Sequence, residues 1–282
     1  MRCNLIFADH RIFADQVKGC ALVLEVADWF DGASRVMFVH AHPDDETITT
    51  GGTLAALAEA GREPLLVTLT RGERGEVVEG PLAALVGTHG LPAVRQNELK
   101  TALGMLGVER HAFLGVAPAR AEGLSPVIYE DSGMSWGPDG RATASPDANP
   151  DALTRAPAVE ALNDLLAAAY LSGAQAVVSY DDGGGYGHPD HVRAHQLARA
   201  VAQALELPFW EIVAGDPESD EVIEDHDIAP WLDRKLAALR AHGTQLTLES
   251  TADGADVVHE IVHVGGQRHP VATTETFVRR TS

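Results

Sequence analysis

A short apolar run, Arg35–Ala41 (RVMFVHA), passes directly into His42-Pro43-Asp44-Asp45-Glu46. A strand this apolar must be covered on both faces, which is the situation of strands in parallel sheets flanked by helices. Ending such a strand in one His and three acids is costly unless the rim where it ends is put to use. In open α/β sheets that rim, at the carboxyl ends of the strands, is where ligands bind. The rest of the chain keeps the same alternation. Strands are expected at Pro64–Thr70, Ala112–Val116 and Ala176–Tyr180, with terminal strands at His259–Val264 and Val271–Val278. Helices are expected at Thr53–Gly61, Val94–Leu106, Ala158–Leu171, His191–Leu205 and Trp231–His242. This order predicts an α/β fold with a mostly parallel sheet.

The 282 residues carry 41 Asp and Glu against 21 Lys and Arg, a formal charge of −20. Lys occurs only at positions 18, 100 and 235. A nucleic-acid partner is excluded by this balance, because phosphate backbones are met by clustered Lys and Arg. Docking on an anionic membrane is disfavoured for the same reason. No stretch approaches the roughly 18 apolar residues of a membrane span. Asp9, His10, Arg11, Asp15 and Lys18 interrupt any signal-peptide core, so the expected setting is cytoplasmic. Cys3 and Cys20 lie before the first clear strand and cannot form a Cys-rich metal site. Residues 1–34 read as an N-terminal extension of uncertain structure, and 35–282 as one domain. Segments 71–92 and 117–156 are long irregular loops, of the kind that carry function. The acidic stretch 214–228 reads as solvated loop. Oligomeric state is not legible.

A second cluster follows the strand Ala176–Tyr180: Asp181-Asp182-Gly-Gly-Gly-Tyr186-Gly187-His188-Pro189-Asp190-His191. It too sits just past a strand end and opens a helix. Two such clusters in a parallel sheet can meet at one rim. His42 and Asp45 are three apart, as are His188 and His191, a spacing that puts side chains on one side of a first helical turn. One short segment plus a distant ligand is a common plan for a catalytic metal site with three protein ligands. Imidazole and carboxylate donors suit Zn²⁺, and also Fe²⁺ or Co²⁺.

The paired motifs resemble the signatures of the PIG-L/LmbE-like N-acetylglucosamine deacetylases. Supporting segments are VHAHPDDET (39–47), LTRGERGEV (69–77), VRQNEL (94–99), DSGM (131–134), GGYGHPDHV (184–192) and LAALRAHGTQ (236–245). The likeness spans about residues 35–280 and is strongest toward the family's mycothiol-biosynthesis members. It implies a Rossmann-like fold with a metal site at the strand C-terminal ends, and a zinc hydrolase acting on a small amino-sugar. By position, His42, Asp45 and His191 match the metal ligands, and Asp44 matches the general base. His188 matches a general acid or oxyanion stabiliser, which requires a proton that nearby acids such as Asp190 would help it keep. Tyr186 matches a carbonyl-polarising tyrosine on a mobile loop, and Arg95 and Asp131 match residues that bind sugar or inositol hydroxyls. The implied substrate is N-acetylglucosaminyl-inositol. A mycothiol S-conjugate is the alternative, and a non-catalytic sugar- or metal-binding module a remote one.

Plainer roles stand beside these. Asp44 or Asp45 at a strand end can simply cap a helix. His40 and His195 fit packed or supporting positions, and His242 fits a helix C-terminal dipole. Glu73 and Glu76 have no assigned role, and the loop after DSGM departs from the mycothiol enzymes where specificity would be built.

Overall fold

The computed structural model describes residues 25–137, 142–213, 222–253 and 256–280. Cys3 and Cys20, most of the N-terminal extension and residues 214–221 of the acidic stretch lie outside them. In chain order the elements are β1 (Val36–His40), α1 (Asp45–Glu59), β2 (Leu65–Thr68), α2 (Leu91–Leu106), β3 (Arg110–Phe113), β4 (Met134–Trp136) and β5 (Ala142–Ala144). There follow α3 (Ala158–Ser172), β6 (Ala176–Tyr180), α4 (Pro189–Ala204), β7 (Phe209–Val213), β8 (Val222–Asp227) and α5 (Leu232–Ala241). The chain ends in β9 (Leu246–Asp253), β10 (Asp256–His263), β11 (Arg268–Pro270) and β12 (Thr274–Arg280).

Seven strands form the main sheet in the order β3-β2-β1-β6-β7-β12-β8. The first five are parallel, and β12 runs antiparallel to both of its neighbours. The Rossmann-like, mostly parallel arrangement is therefore present. Chain order reverses between β1 and β6, the place where such sheets open a binding crevice. Both strands are buried along their whole length, as their unbroken apolar pattern requires. Alternate β1 residues serve two cores: Met37 and Val39 face α3 and α4, while Val36 and Phe38 face α1 and α2. Trp29 and Phe30, ahead of β1, are buried in the second of these cores. No helix among the described residues is long and apolar enough to cross a membrane.

Three expectations change. The acidic stretch 214–228 is not all solvated loop, because β8 occupies 222–227 and pairs with β12. Its buried positions are Glu224 and His226, so its inward face reads as polar and hides the strand pattern. The expected strand His259–Val264 belongs not to the main sheet but to a separate antiparallel one, β11-β10-β9. Helix α1 starts at Asp45, eight residues before the expected Thr53. The intervening TITTGG is poor helix sequence, yet tertiary packing imposes the helix.

That packing is specific. Gly51 and Gly52 are buried in α1, and a Cβ on Gly52 would overlap the side chain of Ile228. The Gly52 and Thr53 N–H groups donate to the Glu275 carboxylate at 2.9 and 2.8 Å. Lys235 pairs with the same carboxylate at 2.7 Å. Gly52→Ala should destabilise the protein by about 1–3 kcal/mol through overpacking. Chemical denaturation checks this, and wild-type stability in the variant would contradict the packing.

Candidate metal centre and active site

Two strand ends and two helix N-termini build the site. After β1 the chain turns so that the His42 N–H donates to Asp45 Oδ2 at 2.9 Å. After β6, His188 caps α4: its Nδ1 accepts the Asp190 N–H at 3.1 Å. Pro189 then occupies the first turn, where its missing N–H costs nothing. Tyr180, at the end of β6, bridges the clusters. Its hydroxyl donates to Asp45 Oδ2 at 2.7 Å and accepts the Ala41 N–H at 2.9 Å. Its ring stacks on His191 with centroids 4.1 Å apart.

Three atoms converge. His42 Nδ1 and His191 Nε2 each lie 3.3 Å from Asp45 Oδ2, and 3.3 Å from each other. Tetrahedral coordination at about 2.0–2.1 Å places ligand atoms roughly 3.3–3.4 Å apart, so this triangle fits a small divalent cation. His188 offers a further ring nitrogen within 4.8 Å of those of His42 and His191, and His42, Asp131, His188 and Asp190 form an overlapping group. The triangle through Asp45 has all three edges at 3.3 Å. Support behind it is also of the kind metal ligands need. His42 Nε2 lies 3.2 Å from Asp190 Oδ2 and 3.6 Å from Asp131 Oδ1. Asp190 in turn accepts the Ser132 N–H at 2.9 Å and its hydroxyl at 2.5 Å. Burial alone would lower the His42 pKa, but Asp131, Asp190 and Asp45 hold it well above the usual value. The carboxylates thus demand a positive charge here, which a cation supplies as well as a proton does.

Asp44 stands beside the triangle. Its main-chain oxygen starts α1, accepting from Thr47 and Ile48 at 3.0 and 2.9 Å. Its carboxylate makes no capping bond, so the plain role of helix cap falls to the backbone and leaves the side chain for chemistry. Its φ of 113° and ψ of −33° are rare for a residue with a Cβ, a strain of about 1–3 kcal/mol that tends to be kept at functional sites. Burial and the adjacent Asp45 push the Asp44 carboxyl up to about 8, against the pull of His242 and Arg95. A cation in the triangle would oppose that rise and favour the ionised base.

The surroundings of His188 oppose a second proton on its ring. Its pKa goes down, to about 3, because burial and the His42 and His191 rings outweigh Asp190 and Asp131. With Nδ1 accepting a backbone N–H, the neutral ring carries its proton on Nε2. A neutral ring in that tautomer can still donate a hydrogen bond from Nε2 without holding a second proton.

Tyr186 lies on the loop between β6 and α4, 49% exposed. Its ring is 5.2 Å from that of His191 and 6.1 Å from that of His188. Its carbonyl accepts the Ala142 N–H at 3.2 Å, tying the loop to the β4–β5 hairpin. Asp131 is buried, accepting from Gly133 N–H at 2.8 Å and Arg74 N–H at 3.3 Å. Arg95 is only 3% exposed. It donates to the Gly72 and Glu76 carbonyls at 2.6 and 2.8 Å, beneath the loop after β2. Asp131 thus lies beside His42, and Arg95 is held under the loop after β2.

Three further residues join the site. Glu73 accepts the Asp131 and Arg71 N–H groups at 3.0 and 3.2 Å; the LTRGERGEV segment is its only signal in the sequence. Glu46 and His242, both fully buried, meet at 3.2 Å across 196 positions of sequence. His242 is thus more than a helix-end charge. His40 takes a supporting position, 3.1 Å from the Thr50 hydroxyl. His195 does the same, 2.9 Å from the Tyr180 carbonyl oxygen.

Comparison with known proteins bears on the family and the fold. The family model described as PIG-L, GlcNAc-PI de-N-acetylase, matches residues 37–202. The chain is 39% identical over 290 residues to a 1D-myo-inositol 2-acetamido-2-deoxy-alpha-D-glucopyranoside deacetylase of Kineococcus radiotolerans, covering 86% of this chain and 78% of that one. It is 36% identical over 282 residues to a deacetylase of the same description from Saccharopolyspora erythraea, covering 88% and 89%. Among solved structures, the N,N'-diacetylchitobiose deacetylase from Pyrococcus horikoshii superposes with a TM-score of 0.54 at 22% identity, covering 77% of this chain and 73% of that one. The zinc-inhibited form of a teicoplanin deacetylase gives 0.56 at 17% identity, covering 87% and 97%. These two share the fold.

Proposed function

The chain belongs to the PIG-L family of GlcNAc-PI de-N-acetylases, and from that premise we propose that it is a zinc-dependent deacetylase of N-acetylglucosaminyl-inositol, serving mycothiol biosynthesis. The observation that carries the reading is the 3.3 Å triangle of His42, Asp45 and His191 with the uncapped Asp44 carboxylate beside it. The relatives' printed substrate supports the choice of sugar.

His42, Asp45 and His191 would hold a divalent ion, which when bound would supply polarisation of the amide carbonyl and a more acidic water, with a pKa of about 7. The protein's own groups do the rest. Asp44 takes a proton as water adds to the acetamide carbon. Neutral His188 donates from Nε2 to the oxygen that gains charge. The C–N bond then breaks, acetate leaves, and the amine needs a proton. A carboxyl that burial already inclines to protonation, such as Asp44, is suited to return it. Tyr186 reaches over the site from its loop as a second donor to the carbonyl oxygen. Arg95 and Asp131 form the wall that receives sugar or inositol hydroxyls, supported by their burial beside His42 and the loop after β2.

Tyr186→Phe keeps the ring and removes the hydroxyl that would donate to the developing oxyanion. Turnover should fall about 10²-fold with KM little changed, as steady-state kinetics would read. A fall confined to KM would instead make Tyr186 a binding residue. The proposal as a whole is tested by acetate release from N-acetylglucosaminyl-inositol and from a mycothiol S-conjugate, side by side, with metal-loaded protein. Preference for the first upholds it, and preference for the second replaces the substrate. No release from any N-acetylglucosaminide overturns the deacetylase reading.

A further inference from the structure

We infer that Glu46 and His242 are a positioning pair that holds the backbone of Asp44 in its left-handed conformation, and so set the rate of the chemical step rather than the affinity for substrate. The inference deepens the proposed function and rests on Asp44 being the base. The Asp44 N–H donates to Glu46 Oε2 at 3.0 Å. The other oxygen, Oε1, accepts the Thr47 hydroxyl and lies 3.2 Å from His242 Nε2. Gln245 Nε2 is 3.2 Å from His242 Nδ1. An amide NH₂ can only donate, so Nδ1 accepts and Nε2 carries the proton that goes to Glu46. Glu46 therefore accepts from both sides, from His242 on Oε1 and from the Asp44 N–H on Oε2, so each contact from Gln245 to Asp44 pairs a donor with an acceptor.

The far end of this line is itself anchored. Thr244 donates its N–H and hydroxyl to Glu98 of α2 at 2.7 and 2.6 Å. Its carbonyl accepts the Val78 N–H at 3.0 Å. Segment 242–245 thus joins α5, α2 and the loop after β2 to one point behind the base. Glu46 is fully buried. Its carboxylate spends one oxygen on a main-chain N–H whose residue has φ 113°. A left-handed residue with a Cβ persists only where its surroundings over-determine it. Here the Glu46 acceptor, clamped by His242, supplies that determination.

The test compares Glu46→Ala, Glu46→Gln, His242→Ala and the Glu46→Ala/His242→Ala double variant, all metal-loaded, on whichever N-acetylglucosaminide the wild type cleaves. Misplacing the base predicts that Glu46→Ala loses about 10²-fold in kcat with KM and metal content unchanged. Glu46→Gln, which keeps an acceptor for the Asp44 N–H, should recover most of that loss. The double variant should be no worse than Glu46→Ala, because the two act through one path. Crystal structures of Glu46→Ala and, should it not fold, of His242→Ala should show Asp44 turned out of the left-handed region. Intact kcat in Glu46→Ala, multiplying losses in the double variant, or an Asp44 φ still near that of the wild type would each overturn the inference. If the wild type cleaves no N-acetylglucosaminide, the proposed function fails, while the Asp44 backbone in these crystals still decides the positioning role.

Discussion

Asp44→Asn should lower kcat by about 10³-fold while leaving metal content and fold intact. General-base catalysis is worth roughly 10²–10⁴, and Asp44 is the carboxylate beside the triangle that neither caps α1 nor forms an edge of the triangle. Asn keeps the shape and, among residues with a Cβ, tolerates positive φ well, so the strained backbone survives the change. Asp44→Ala is a poorer probe, since Ala resists that conformation and mixes a folding cost with the chemical one. Activity in the wild type should rise with pH as the carboxyl ionises. Without a cation, burial and Asp45 acting against His242 and Arg95 would centre that limb at about 8, and a cation in the triangle would move it below that value. Acetate release and metal stoichiometry on the same samples check both statements. An Asn variant with more than a tenth of wild-type turnover would remove Asp44 from the role.

How much of the molecule is legible in the sequence follows from where the signal lies. β1 and β6 are uniformly apolar because both faces are covered, and their ends announce the site through His42, Asp44, Asp45, His188 and His191. Because each motif follows a strand of one parallel sheet, the pair alone is enough to put these side chains on one rim. What stays hidden has physical causes. The first half of α1 is written in Thr and Gly, and becomes helix because Gly51 and Gly52 let α5 and the segment before it come close. β8 is masked by burying Glu224 and His226 on its inward face. The Glu46–His242 pair joins two residues 196 positions apart, and nothing local to either marks the contact. The acids near His188 in the sequence suggest a ring that keeps a second proton. Its environment is instead dominated by burial and by His42 and His191, which composition around the motif does not disclose.

Removing the cation should have the other large effect, and on two observables at once. Stripping the protein with a chelator should abolish acetate release, and Zn²⁺, Fe²⁺ or Co²⁺ added back should restore it, the most active ion marking the preferred metal. His191→Ala should not be rescued in this way, because it deletes one corner of the triangle formed with His42 and Asp45. Stability should fall with activity. A ligand that binds only the folded state stabilises it by about 4 kcal/mol at a thousandfold excess over its Kd. For a chain of this size, each kcal/mol shifts Tm by roughly 2–4 °C. The stripped protein should therefore melt roughly 8–16 °C lower yet remain folded, since a protonated His42 can stand in for part of the missing charge among Asp45, Asp131 and Asp190. That substitution fixes the direction with acid as well: protons compete with the metal for the same donors, so the melting difference between loaded and stripped protein should shrink as pH falls. A stripped sample that still releases acetate at the loaded rate would show that the triangle, however well it fits a cation, is not where the reaction is driven.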